Sequence, residues 1–163
     1  MKGYNTPTLK RELANYISGF SDGEGCFSVS FSRRGKLKIG WEVKPSFAVG
    51  QNYDRAEVLF LMKSYFRCGF MRRDYADKTL KYEVRSLEEL VTQIIPHFLR
   101  FPMKSAKQKD FLLFAKICRL MEKSRHKNKS GFKKILKLAY KMNGSGKRKF
   151  SQKEILKSLK MKI

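Results

Sequence analysis

The chain is poor in acid: 14 Asp and Glu stand against 37 Lys and Arg, a net charge of +23 at pH 7. An imbalance of that size stabilises no compact monomer, because like charges repel, and it points to a polyanionic partner. Long apolar runs are missing too. None approaches the roughly 18 residues of a membrane span, and Met1 to Thr8 hold no apolar stretch of the kind a secretory signal needs. Cysteine is sparse: Cys26, Cys68 and Cys118 lie far apart, with only His97 and His126 to accompany them. That spacing offers no zinc site and reads as ordinary buried thiols of a reducing compartment.

What is present is a core. Hydrophobic residues make up 42% of the chain and aromatics 13%, too many for a disordered basic tail. A chain of 163 residues buries roughly 70% of its unfolded surface without a metal or disulfide staple.

The apolar pattern changes period along the chain. Leu9, Leu13, Tyr16, Ile17 and Phe20 form a helical stripe, started by Thr6-Pro7 or Thr8 and stopped by Gly23 and Gly25. Phe27, Val29 and Phe31 then alternate with Ser28, Ser30 and Ser32. After a turn at Arg33 to Lys36, Leu37, Ile39, Trp41 and Val43 alternate with Lys38, Gly40, Glu42 and Lys44, which predicts a β-hairpin. Its second strand runs on through Phe47 and Val49, with Pro45 confining it to an edge or a bulge. Asp54 and Glu57 form a capping-box pattern ahead of a second helix. Strands over 69–75 and 79–85 follow, then a third helix capped by Ser86 and Glu89 and ended by Pro96. This is an α+β domain of order α-β-β-α-β-β-α, with helices on one face of an antiparallel sheet. Further helical stripes carry Phe111, Phe114, Ala115, Cys118 and Met121, and then Phe132, Ile135, Leu136 and Ala139. After Asn143-Gly144-Ser145-Gly146, Ser151 and Glu154 cap a lysine-rich helix with Ile155, Leu156 and Leu159. The expected division is a domain over 1–143 and a basic helical extension over 144–163.

Asp22 and Glu24 fall in the last turn of the first helix, where the macrodipole makes a carboxylate unfavourable by roughly 0.3–1 kcal/mol. Two acids at that end need a basic side chain or a divalent cation, which prefers hard oxygen ligands.

The segment Ile17-Ser18-Gly19-Phe20-Ser21-Asp22-Gly23-Glu24-Gly25 closely resembles the signature of the LAGLIDADG homing endonucleases, and the order of elements over residues 9–121 is similar to theirs. The resemblance implies that Glu24 binds the catalytic divalent metal, Mg2+, and that Asp22 is structural. It implies further that Ser18, Gly19 and Gly23 pack one such helix closely against another. Gln51 resembles the family's active-site glutamine and Arg55 its helix-start arginine. Phe101-Pro102-Met103-Lys104-Ser105-Ala106-Lys107-Gln108 resembles the segment with the catalytic lysine, assigned to Lys107 with Lys104 as the alternative. The family's sheet is saddle-shaped.

Antiparallel ribbons fit the DNA major groove. Ser28, Ser30, Ser32, Arg34, Lys38 and Lys44 share the polar hairpin face and are expected to contact DNA, with Arg72, Arg73, Lys81 and Arg85 extending the surface. The expected activity is site-specific, metal-dependent cleavage of double-stranded DNA. One motif copy supplies one Glu24, so two cuts call for a two-fold homodimer on a near-palindromic site. The competing readings are an RNA maturase or a non-catalytic binder with the same fold, and a lysine-rich ribosomal or chromatin protein, which leaves the motif unexplained. Lysine in excess of arginine fits an AT-rich genome, favouring an intron-encoded protein of a chloroplast or mitochondrion over a bacterial one.

Overall fold

The computed structural model describes residues 7–160. Helix α1 spans Pro7–Glu24 and is followed by strands β1 (Gly25–Arg33) and β2 (Trp41–Asn52), helix α2 (Glu57–Phe66), and strands β3 (Phe70–Asp74) and β4 (Thr79–Val84). Helix α3 (Leu87–Glu89) passes through a π-helical segment (Leu90–Ile94) into α4 (Ile95–Arg100), and α5 (Lys107–Glu122), α6 (Lys129–Ala139) and α7 (Gln152–Lys160) follow. The sheet order is β1-β2-β4-β3, with β4 antiparallel to both β2 and β3. The α+β order expected from the sequence is therefore the observed one.

The chain divides into two compact units. One is built from the chain up to Cys26 together with Phe47–Gln108, the other from Phe27–Ser46 and the chain from Lys109 on. In the first, Phe47 sits edge-on to Phe66, Tyr82 and Phe98, with ring centroids 5.4–6.4 Å apart. In the second, Phe27 packs between Phe111 and Phe114 at 5.2 and 5.3 Å. Each such buried ring contributes about 1.5–3 kcal/mol by leaving water. Helix α7 belongs to the second unit's core through Ile155 and Leu159, which are buried, and through Trp41, whose Nε1–H donates to Ser158 Oγ at 2.8 Å.

Several local expectations are corrected. Helix α1 starts at Pro7, so Thr8 is inside it, while Thr6 lies outside the described residues. Its buried residues are Ala14, Ile17, Ser18 and Ser21, so most of the apolar stripe read from the sequence faces outward or is half-buried. Strand β2 begins at Trp41 rather than Leu37, because Arg34 to Gly40 close a longer turn in which Gly40 has φ of +77°. Lys38 is thus a turn residue. Pro45 is tolerated because β4 pairs with β2 only from Phe47 onward, leaving that stretch edge-like on one side. Asp54 makes no cap: a 3-10 turn over Tyr53–Arg55 intervenes and α2 starts after Ala56 without a side-chain cap. Pro96 does not end the third helix. It is the second residue of α4, directly after the π segment, where the altered hydrogen-bond ladder accommodates its missing N–H. Cys26 is exposed rather than buried, since it shares the strand parity of Ser28 and Ser30.

Candidate functional site

The C-terminal end of α1 is tied to the segment leading into α5 in both directions. The backbone N–H groups of Lys104 and Ser105 each donate to Asp22 Oδ2 at 2.9 Å, and the Ser105 hydroxyl donates to Oδ1. Burial pushes the Asp22 carboxyl upward, but these donors and the Lys107 charge outweigh it and leave its pKa below the usual value. In return, Lys107 Nζ donates to the carbonyls of Ser21 and Gly23 at 3.1 and 3.2 Å. Helix α1 has no basic residue in its own last turn. Lys107 supplies the positive charge that the macrodipole and the two acids call for. Gly25 is fixed by sterics, because a Cβ there would meet the Ser21 carbonyl oxygen at 2.6 Å.

Glu24 is exposed at this end of the helix. Of the two candidate lysines, Lys107 lies against the motif through its side chain, whereas Lys104 approaches it through its backbone N–H and is itself exposed. Gln51 is the penultimate residue of β2, half-buried and paired with Leu80. Arg55 lies in the 3-10 turn, exposed, with Asp54 at 3.9 Å, and lines a hollow with Tyr16 and Phe20 of α1 and Val58 and Leu61 of α2.

A hard divalent cation suits the carboxylate and carbonyl oxygens of this helix end. Among the described residues no three His, Cys, Asp or Glu side chains converge.

The strand register sorts the expected DNA-contacting residues. In the second unit, the hydroxyls of Ser28, Ser30 and Ser32 meet Ser46, the Lys44 carbonyl and Glu42 across one hairpin face, at 2.8, 3.5 and 3.4 Å. Glu42 also holds Arg34 at 2.7 Å and Lys44 at 3.2 Å. Burial raises the Glu42 pKa, but the two cations outweigh it and lower it overall. In the first unit, Arg72 pairs with Lys81, while Arg73 pairs with Leu80 on the opposite, core-side parity. Arg73 accordingly stacks on Tyr53, with its guanidinium carbon 3.7 Å from the ring centroid. Lys81 is half-buried and Arg85 is exposed. The sequence reading missed the acids Glu42 and Glu83 as organisers of these cations. The signal available was an acid between two basic residues at alternate positions, Lys81-x-Glu83-x-Arg85.

The motif's small residues separate in the same way. Ser18 is buried, its hydroxyl donating to the Phe101 carbonyl and lying 3.1 Å from His97 Nε2. Tyr65 O–H is 3.0 Å from His97 Nδ1, so the neutral ring carries its proton on Nε2, accepts from Tyr65 and donates to Ser18. Gly19 and Gly23 are exposed, and a Cβ at either would have nothing within 4 Å. Tyr16 beside them is 52% exposed, leaving an open helix face of small and aromatic residues.

The family model described as LAGLIDADG endonuclease matches residues 17–118. A probable intron-encoded endonuclease of Neurospora crassa is 32% identical over 123 residues, which cover 75% of this chain and 27% of that protein. The chain spans about a quarter to a half of the length of the first such relatives. Among solved structures, the archaeal intron-encoded homing endonuclease I-Vdi141I complexed with DNA is 26% identical, covers 94% of this chain and 98% of that one, and has a TM-score of 0.87. I-SmaMI bound to an uncleaved DNA target in the presence of calcium ions is 27% identical with a TM-score of 0.80, over 91% of this chain and 49% of that one.

Proposed function

Because the chain belongs to the LAGLIDADG endonuclease family, we propose that it cleaves both strands of a specific DNA duplex as a homodimer, using Mg2+ held by Glu24. The observation that carries this reading is the end of α1, where an ammonium group is anchored on the carbonyls of Ser21 and Gly23 and the next residue, Glu24, is an exposed acid. When bound, a divalent cation supplies Lewis-acid polarisation of the phosphoryl group and a more acidic water.

The chain's residues supply the rest. Lys107 spends two of its three N–H donors on Ser21 and Gly23, which fixes the ammonium and leaves one donor for a phosphate oxygen carrying developing charge. Gln51 orients solvent through its amide, and Arg55 offers an exposed guanidinium to a neighbouring phosphate. Asp22 holds the backbone of Lys104 and Ser105 so that Lys107 enters from a fixed direction. One copy of the motif supplies one Glu24, and a second copy of the chain would bring a second Glu24 to the axis. Gly19 and Gly23 provide the close approach, while Ser18 serves its own unit. The hairpin face of Ser28, Ser30, Ser32, Arg34 and Lys44 reads the major groove, and Arg72, Lys81 and Arg85 of the other unit also contact the duplex. Intron-encoded fungal relatives support an intron-borne gene in an organelle.

Selection of cleaved products from a randomised duplex library with Mg2+ tests the reading, using Glu24→Gln as the paired control. The expected result is one enriched near-palindromic site cut by the wild type and bound without cutting by the variant. Binding without cleavage by both proteins would overturn it in favour of an RNA maturase or other non-catalytic binder.

A further inference from the structure

Glu83 is a carboxylate almost out of reach of water on a strand otherwise open on that side: its side chain is 8% exposed, beneath Arg72 at 43% and Arg85 at 58%. Arg85 donates from Nε to Oε1 and from Nη2 to Oε2, both at 2.9 Å. Arg72 donates from Nε to Oε2 at 3.5 Å. The register puts Glu83 opposite Phe70 and Arg72 opposite Lys81, so all four residues share one sheet face. The Arg85 guanidinium carbon also lies 5.4 Å from the Phe70 ring centroid.

We propose that Glu83 is a positioning residue for base recognition, presetting Arg85 and Arg72 to read guanine in the major groove. The proposal rests on the DNA-cleavage reading above and adds the element that confers discrimination. A guanidinium has five N–H donors. Side-on pairing through Nε and Nη2 consumes two from Arg85, and its outer edge keeps three, including both on Nη1. That outer edge is the fork that matches the O6 and N7 acceptors of guanine. Arg72 spends only Nε and keeps both terminal nitrogens. Held this way, the arginines lose less rotamer freedom on binding than free surface arginines do.

The proposal and simple charge counting predict opposite signs. Removing an acid from a DNA-facing surface strengthens binding to every duplex alike if Glu83 contributes charge alone. If it positions the arginines, Glu83→Gln loses discrimination at the guanine-bearing pairs they read, by roughly five-fold to a hundred-fold, while affinity for unrelated duplex is unchanged or increased. The measurement is binding of wild type, Glu83→Gln, Glu83→Asp and Arg85→Ala to every single-base variant of the selected site, with thermal denaturation of each protein alongside. Glu83→Gln and Arg85→Ala should relax the same base pairs and be non-additive when combined, with partial recovery in Glu83→Asp. Uniformly tighter or weaker binding across all variants by a folded Glu83→Gln protein would overturn the assignment. If Glu83→Gln fails to fold, Arg85→Ala and Arg72→Ala decide it: neither relaxing a guanine position overturns the proposal. A wild-type protein that discriminates no duplex sinks the parent reading instead, so the two failures are distinguishable.

Discussion

Lys107 reaches the Gly23 carbonyl at 3.2 Å, one residue before the carboxylate of Glu24. The ammonium thereby balances the partial negative charge of α1 at the carbonyl that directly precedes the acid proposed to hold the metal. A structural role and the proposed catalytic role of this lysine would therefore overlap, and a single activity measurement does not separate them.

Lys107→Met should cost about 1–3 kcal/mol of stability through two lost charge-assisted hydrogen bonds, read as a lower unfolding midpoint. Its single-turnover cleavage at a temperature where the variant is fully folded should fall by far more than the small unfolded fraction explains. Cleavage at the wild-type rate would restrict Lys107 to helix capping.

Gly19→Leu should leave the folded unit intact, since a Cβ there meets nothing within 4 Å, yet hold two α1 helices apart at a close crossing. Sedimentation of both proteins without DNA reads this directly. A wild type that stays monomeric at micromolar concentration removes the two-fold model.

His97 is kept neutral, because burial pushes its pKa down to about 4 from 6.5. The unfolded chain therefore binds a proton that the folded chain refuses between those values, so stability is fully present above pH 6.5 and declines as pH falls toward 4. Between pH 6.5 and 5 the loss is at most about 2 kcal/mol, at 1.36 kcal/mol per pKa unit. Denaturant midpoints of the wild type should show this slope, and His97→Gln should flatten it at the expense of overall stability. An equally steep slope in the variant would assign the acid sensitivity to other groups.

Lys44 and Lys157 are both basic and accessible, but they belong to different classes of contact in this reading. Lys44→Ala should relax preference at particular base pairs by about 1–3 kcal/mol, whereas Lys157→Ala should weaken all sequences equally and reduce the salt slope by about 1. Binding to single-base variants at two salt concentrations tests both. The reversed pattern would move recognition from the hairpin to α7.

Which of these features could be read beforehand follows from the range of the forces involved. The alternation of Phe27, Val29 and Phe31, and the Ser151–Glu154 capping box, whose two hydrogen bonds form at 2.6 and 3.2 Å, are local and appear where the pattern puts them. The outward turn of Tyr16 and Phe20 is not local. Their period fits a buried stripe, and the core instead takes Ala14, Ile17, Ser18 and Ser21, which small or compact side chains allow to approach closely. Pro96 misleads for a related reason: the helix continues because a π segment precedes it, a shift that residue propensities do not encode. The pairing of Glu83 with Arg72 needs the β3–β4 register, which weak alternation in those strands leaves unspecified.

The reciprocal tie between α1 and the segment at Ser105 and Lys107 also bears on how the protein comes into being. Its hydrogen bonds join residues 82 to 86 positions apart, among the long loops whose closure entropy must be met before the contact rewards it. A ribosome that has released only the motif helix and the strands after it has not yet assembled the proposed catalytic end. Until Ser105 and Lys107 emerge, Asp22 lacks its donors and the carbonyls of Ser21 and Gly23 lack their cation, so a strongly basic nascent chain can meet nucleic acid well before this end of the helix is complete.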